Sequence, residues 1–221
     1  MKPTLLTIIL IIACGLSAFA QQKDTLYFNI DGRDTTAAHA AYYRVRTRQG
    51  AGWQVTDYSL NHKPQMTGAY SDDSCTIRQG EWIGYYHNGQ VAGDVMYKDG
   101  KQVSGTFYND DGSKNKKVKE FIRESEYPGG TAQWLRFLNK TLKYPENQWK
   151  NKIEGTVVVQ FIIDEDGNPV SIKVIKSVNA ELDAEAVRVI SESKDWVPAV
   201  YGGRFVKSYK KQPIVFKLTN S

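Results

Sequence analysis

Tyr86, Tyr97 and Tyr108 stand 11 residues apart, and each is followed within a few residues by a turn-forming pair: Asn88-Gly89, Asp99-Gly100 and Asp111-Gly112. Asn-Gly and Asp-Gly suit tight hairpin turns because the central residues of such turns need positive φ. The stretches between them, such as Glu81-Trp82-Ile83-Gly84-Tyr85-Tyr86, are aromatic and strand-prone. A weaker copy lies upstream in Trp53, Tyr58 and Asn61-His62, with Gly68 and Tyr70 after it. One hairpin cannot bury its own face, so successive units must stack on one another. This part of the chain is therefore expected to be all-β.

The whole sequence has 221 residues, of which 41% are hydrophobic, 12% aromatic and 24% charged. Those proportions belong to globular domains and exclude a collagen, a coiled coil, a long disordered chain and a polytopic membrane protein. Charge is unevenly placed. Residues 21–127 balance 14 basic against 14 acidic side chains, whereas residues 128–221 carry 14 against 10. Ten of the 13 tyrosines precede Pro128. Lys114-Asn115-Lys116-Lys117, the charged run to Glu126 and Pro128-Gly129-Gly130 are linker and breaker signals. The expected organisation is a leader at 1–20, a repeat domain at 21–113, a linker at 114–127 and a second domain at 128–221.

The leader is inferred from Lys2, the apolar run 5–13 and Ala18-Phe19-Ala20 before Gln21-Gln22, which together form a cleavable secretory signal. That run is shorter than the ~20 apolar residues that span a bilayer. Ile11-Ile12-Ala13-Cys14 resembles a bacterial lipobox, so lipidation of Cys14 stays open beside cleavage after Ala20. Either route exports the chain, and the periplasm is the expected compartment. Only Cys75 would survive cleavage, which excludes an intramolecular disulfide.

In the second half, Leu135, Leu138 and Leu142, with Trp134 and Phe137 beside them, predict an amphipathic helix over 131–143 that stops at Tyr144-Pro145. Val157, Val159, Phe161 and Ile163 mark a strand, Asp164 to Asn168 a turn, and Val170, Ile172 and Val174 a second strand. Asn179 can cap a helix carrying Leu182, Ala186, Val189 and Ile190. A last strand is expected over 205–218, with Ile214, Phe216 and Leu218 on one face.

Two resemblances follow. The repeating hairpins over 53–112 resemble MORN-like repeats, which implies a surface for protein or glycan. The second half resembles the C-terminal domain of TonB energy transducers. The matching residues are Tyr144-Pro145, Gly155-Thr156-Val157, Asp166-Gly167, Leu182-Asp183 with Ala186, Trp196 with Pro198, and Pro213-Ile214 with Phe216. The expected fold class is α+β: an N-terminal all-β domain of stacked hairpin repeats, then a TonB-like domain with two helices packed on a three-stranded antiparallel sheet.

The TonB resemblance implies that the last strand is an exposed edge to which a partner adds a strand, the TonB box of an outer-membrane receptor. The implied peptide-binding residues are Val206, Lys207, Ser208, Tyr209, Lys210, Lys211, Ile214 and Phe216. The lysines favour an acidic partner, although edge lysines also serve simply to block aggregation. Other readings are a cell-envelope scaffold that binds glycan or an envelope protein, and a homodimer through the same edge. Two departures from the family stand out. The sequence shows no Pro-rich spacer or membrane anchor of the transducer kind, and Trp149 stands where a small residue is usual.

Chemistry of other kinds finds little support. His39, His62 and His87 have no metal-ligand spacing. The turn Asp164-Glu165-Asp166-Gly167-Asn168 fails as a calcium loop because Pro169 stands where glycine is required. No catalytic residue, metal or cofactor is expected, and the modest basic excess does not indicate nucleic acid.

Overall fold

Seven strands follow one another in the first half: β1 (Lys23–Phe28), β2 (Tyr42–Gln49), β3 (Gly52–Ser59), β4 (Pro64–Tyr70), β5 (Arg78–Tyr85), β6 (Val91–Lys98) and β7 (Lys101–Phe107). They pair in sequence order as one antiparallel meander. These features come from a computed structural model that describes residues 22–29 and 32–218. The candidate secretory signal and Cys14 lie outside the described residues.

The turns have a common construction. In the loops 59–63, 86–90 and 109–113 the first N–H donates to the fifth carbonyl at 2.9, 2.8 and 2.7 Å, and the first carbonyl accepts from the fourth N–H at 2.9, 2.9 and 3.0 Å. The fourth residue is left-handed each time: His62 at φ 61, Gly89 at 87 and Gly112 at 82. The weak upstream copy therefore makes the same turn with histidine in the glycine position. Among the turns of the meander, Asp99-Gly100 has two consecutive positive φ values, 52 and 77, as a two-residue hairpin of this type needs.

Strand alternation buries Trp53, Val55 and Asp57 of β3, Met66 and Tyr70 of β4, Trp82 of β5, and Val95 and Tyr97 of β6. Trp82 is the hub, meeting Tyr70, Tyr97 and Phe121 edge-on at 5.0, 6.2 and 6.3 Å between ring centres. Such contacts add to area burial because ring edges are positive and ring faces negative.

The chain then forms a short strand β8 (Ile122–Arg123), helices α1 (Gly130–Thr141) and α2 (Glu146–Lys150), strands β9 (Gly155–Ile163) and β10 (Pro169–Lys176), and helix α3 (Ala180–Glu192). Strands β11 (Ala199–Tyr201), β12 (Arg204–Val206) and β13 (Ser208–Phe216) complete it. A three-stranded antiparallel sheet has the order β10-β9-β13. Its Val157, Val159, Phe161 and Ile163 pack with Leu182, Ala186 and Ile190 of α3 and with Ile214 and Phe216 of β13. Asn179 caps α3 by accepting the Leu182 N–H at 2.9 Å. No helix among the described residues is long and apolar enough to cross a membrane.

Three features differ from the sequence reading. Leu135, expected on the buried face of α1, is 53% exposed, while Trp134 is buried. Trp134 joins an aromatic cluster with Tyr127, Phe137 and Trp196, and a step of one residue turns a helix by about 100°, so Leu135 faces out. The short α2 was unforeseen; it turns Gln148 inward onto Asn179 at 2.8 Å and leaves Trp149 58% exposed. Finally, the expected strand 205–218 is broken. Phe205 and Val206 belong to β12, Lys207 intervenes, and β13 starts at Ser208.

That break creates a hairpin that crosses to the other sheet. β12, β11 and β8 form a three-stranded sheet of their own, and Val200, Tyr201 and Phe205 join Val118, Phe121 and Ile122 over the buried face of the meander. Segment 114–127 thus supplies Val118 and Phe121 to this core. Contact at the hairpin tip is backbone to backbone: a Cβ on Gly84 would lie 1.8 Å from the Gly202 carbonyl oxygen. Gly84→Ala is expected to lower stability by about 1–3 kcal/mol, read as a lower urea midpoint in tryptophan fluorescence.

Candidate functional site

The second sheet has two edges, β10, whose pairing with β9 is broken by register shifts, and β13. β13 pairs with β9 residue by residue from Ser208↔Ile163 to Phe216↔Gly155, without a bulge. Among the described residues no other strand lies on its far side. An unpaired strand edge presents a row of N–H and C=O groups to an extended chain. Strands of this sheet thus define a small α/β module with one long, open template for strand addition.

The proposed contact residues divide into distinct roles. Tyr209 and Lys211 are exposed, as is Lys207 just before the strand. Ile214 and Phe216 are buried in the core and cannot present side chains to a partner. Lys210 is held inward, its Nζ donating to the Ser125 carbonyl at 2.6 Å, and the Ser208 and Ser125 hydroxyls bond at 2.5 Å. Val206 pairs with Ala199 in the crossing hairpin.

The other residues quoted for the resemblance build the scaffold. Tyr144 lies edge-on to Phe216 at 5.7 Å and donates to the Ile153 carbonyl at 2.6 Å. Pro145 precedes α2. Gly155 admits Val178, whose Cγ2 would stand 2.7 Å from an added Cβ. Gly167, beside Asp166 in the 164–168 turn, accepts the Trp196 N–H at 3.0 Å. Leu182 and Ala186 are buried, and Asp183 accepts the Val178 N–H at 3.1 Å. The Trp196 indole donates to the Ser193 carbonyl at 2.8 Å, and the Pro198 carbonyl accepts Arg123 at 3.1 Å.

What fixes the entry to β13 was not visible in the motifs. Asp57 is buried in the meander and takes Arg44 in a two-pronged pair, Nε to Oδ1 at 2.6 Å and Nη2 to Oδ2 at 2.9 Å. Tyr201, at the turn of the crossing hairpin, donates its hydroxyl to the same Oδ2 at 2.5 Å. Arg204, two residues past the Gly202 tip contact, donates to the Tyr85 carbonyl at 3.0 Å. With β11 and β12 held this way, Lys207 is the only residue between the clamp and the edge strand. The available signal was Gly202-Gly203 between Ala199-Val200-Tyr201 and Arg204-Phe205-Val206, two strand-prone triplets around a turn.

Electrostatics bind the cluster together. Burial alone would lower the Arg44 pKa, but the Asp57 carboxylate outweighs it and holds the guanidinium above its ordinary range. Burial, followed by the Asp57 charge, pushes Tyr42 up to about 12 and Tyr201 well above the usual phenol value. Burial also pulls Arg204 down. Among the described residues no group of three His, Cys, Asp or Glu side chains is placed to hold a metal.

Residues 140–218 match the family described as the Gram-negative bacterial TonB protein C-terminal. Among solved structures, the NMR solution structure of the Helicobacter pylori TonB C-terminal domain is similar: 25% identity, 42% of this chain and 89% of that one covered, and a TM-score of 0.33. No curated protein matches the chain.

Two predictions follow from the clamp. Arg44→Ala strands a buried carboxylate and is expected to cost about 3–5 kcal/mol, measured by urea unfolding. A phenol titrates near 10 when unfolded, whereas Tyr42 in the fold holds its proton to about 12. The unfolded chain therefore releases protons first, and stability present below pH ~10 is lost as pH rises toward ~12. Tyr42→Phe should flatten that alkaline loss in a stability-against-pH series.

Proposed function

We propose that this chain is an exported protein-binding module of the cell envelope that engages outer-membrane transport machinery by strand addition at β13. The observation that carries the proposal is the position of β13 at an open sheet edge inside the segment that matches the TonB C-terminal family. The partner class is an outer-membrane receptor presenting a short extended segment of the TonB-box kind. The periplasm is the compartment, reached through the signal at 1–20. No catalytic step, metal or cofactor is assigned.

Within this reading the chain divides near residue 128. The MORN-like meander serves as the platform that holds the TonB-like module through the 199–206 hairpin, and its outer face is a second binding surface. The clamp anchors the edge strand at its beginning, which a site that must hold an extended chain requires. Edge addition draws its affinity mainly from backbone bonds, with side-chain specificity at alternate positions.

The test is a chemical-shift titration of labelled residues 21–221 with TonB-box peptides. Shifts concentrated along 208–216 are expected, and their absence at roughly millimolar peptide, the weak end of the affinity scale, would sink the reading.

A further inference from the structure

The open edge of β13 is not uniform. Pro213 faces Val158 of β9, and proline has no N–H to give. In an antiparallel ladder, facing residues either exchange both bonds or exchange none, so this pair is of the second kind. Alternation through the bulge-free register then fixes every other residue: 208, 210, 212, 214 and 216 bond to β9, while 209, 211, 213 and 215 turn their backbone groups outward.

The outward row is thus interrupted. Tyr209, Lys211 and Val215 each offer an N–H and a C=O. Pro213 offers no N–H, and its carbonyl already accepts the Gln212 side-chain amide at 3.2 Å. Proline is a usual device that blunts a sheet edge by removing a donor, and here it removes the donor at one position of four.

The side chains on the same row add a charge requirement. Lys211 is exposed and stands across Gln160 from exposed Lys173. Neither lysine has an ion-pair partner among the described residues. Tyr209, on the same face, is 41% exposed. A strand laid against this edge meets an aromatic ring and then a cation before it reaches the gap.

We infer that β13 accepts a strand from a different chain, bonded to Tyr209 and Lys211 with an acidic side chain beside Lys211, and that Pro213 ends the continuous ladder. This deepens the strand-addition reading and rests on it. A second copy of the chain paired through the middle of β13 is the poorer partner. Two-fold pairing centred on Lys211 sets two ammonium groups opposite each other, which is unfavourable, and pairing centred on Gln212 meets the gap twice, once in each strand. A different chain meets it once.

The test measures amide exchange by NMR in the 21–221 chain. It uses the blocked peptide Thr-Val-Thr-Val-Thr-Val-Glu-Val-Thr-Val-Thr-Val, which in either direction faces residues 209 to 215 with its glutamate beside Lys211, a copy with lysine in place of glutamate, and the Pro213→Val and Pro213→Ala variants. Near-saturating glutamate peptide is expected to slow the Tyr209 and Lys211 amides by about tenfold and to leave the Val215 amide nearly unchanged. The lysine copy should bind about fivefold more weakly. In either variant, protection should extend through position 213 to Val215. Equal protection of Tyr209 and Val215 in the unaltered chain would overturn the inference while leaving strand addition standing. So would variants that leave the pattern unchanged, or β13 protection that rises with protein concentration without peptide. If neither peptide slows any β13 amide in any of the three proteins, strand addition itself fails.

Discussion

A carboxylate taken fully out of water must be paired, and Asp57 is paired twice over, by a cation from its own sheet and a phenol from the far end of the chain. Arg44 neutralises it, and Tyr201 uses the remaining acceptor capacity of Oδ2. Burying an ion pair is itself a weak source of stability, because desolvation offsets most of the attraction. Its effect here is on specificity. Only one placement of the 199–206 hairpin satisfies Asp57, and that placement also brings the Gly202 carbonyl against Gly84. The start of the edge strand is held from this side by the hairpin, and the rest of it by pairing with β9.

Local chemistry was legible where it repeats or alternates. The positive-φ turns at Gly89, Gly100 and Gly112 follow from Asn-Gly and Asp-Gly pairs, and β9, β10 and α3 follow from apolar periodicity. The structure shows the α+β class, with a large antiparallel sheet first and a helix-backed three-stranded sheet after it. The misses share a cause: each depends on a contact remote in sequence. Leu135 faces out because Trp134 is claimed by Tyr127 and Trp196. Val206 leaves the last strand because Ala199 pairs with it and because its hairpin completes a core begun at Trp53. Buried Asp57 reads like any strand-edge aspartate until Tyr201 is seen beside it.

Most residues that carry the family resemblance turn out to build the scaffold around the edge. Gly167 and Trp196 tie the 164–168 turn to the segment after α3, and Tyr144 packs against Phe216 from the side of α1. A motif of this sort records the requirements of a fold. The surface that a partner would meet, Tyr209, Lys211 and Val215, lies between motif positions and is set by strand parity. Ile214 and Phe216 belong to the motif and are buried for the same reason.

The hairpin also carries a consequence for how the molecule comes into being. Asp57 and Tyr201 are 144 residues apart in the chain, so the meander can form its hairpins early from neighbouring segments but cannot complete the cover of its buried face until residues 200–205 arrive. Contacts of such long separation are slow to form, because the loop must close before they reward it. During synthesis Val118 and Phe121 reach Trp82 and Tyr97 first, while the part of the face that the hairpin covers waits for nearly the full length of the polypeptide. A chain truncated anywhere before the hairpin would present that aromatic face to solvent, where it invites association with other chains.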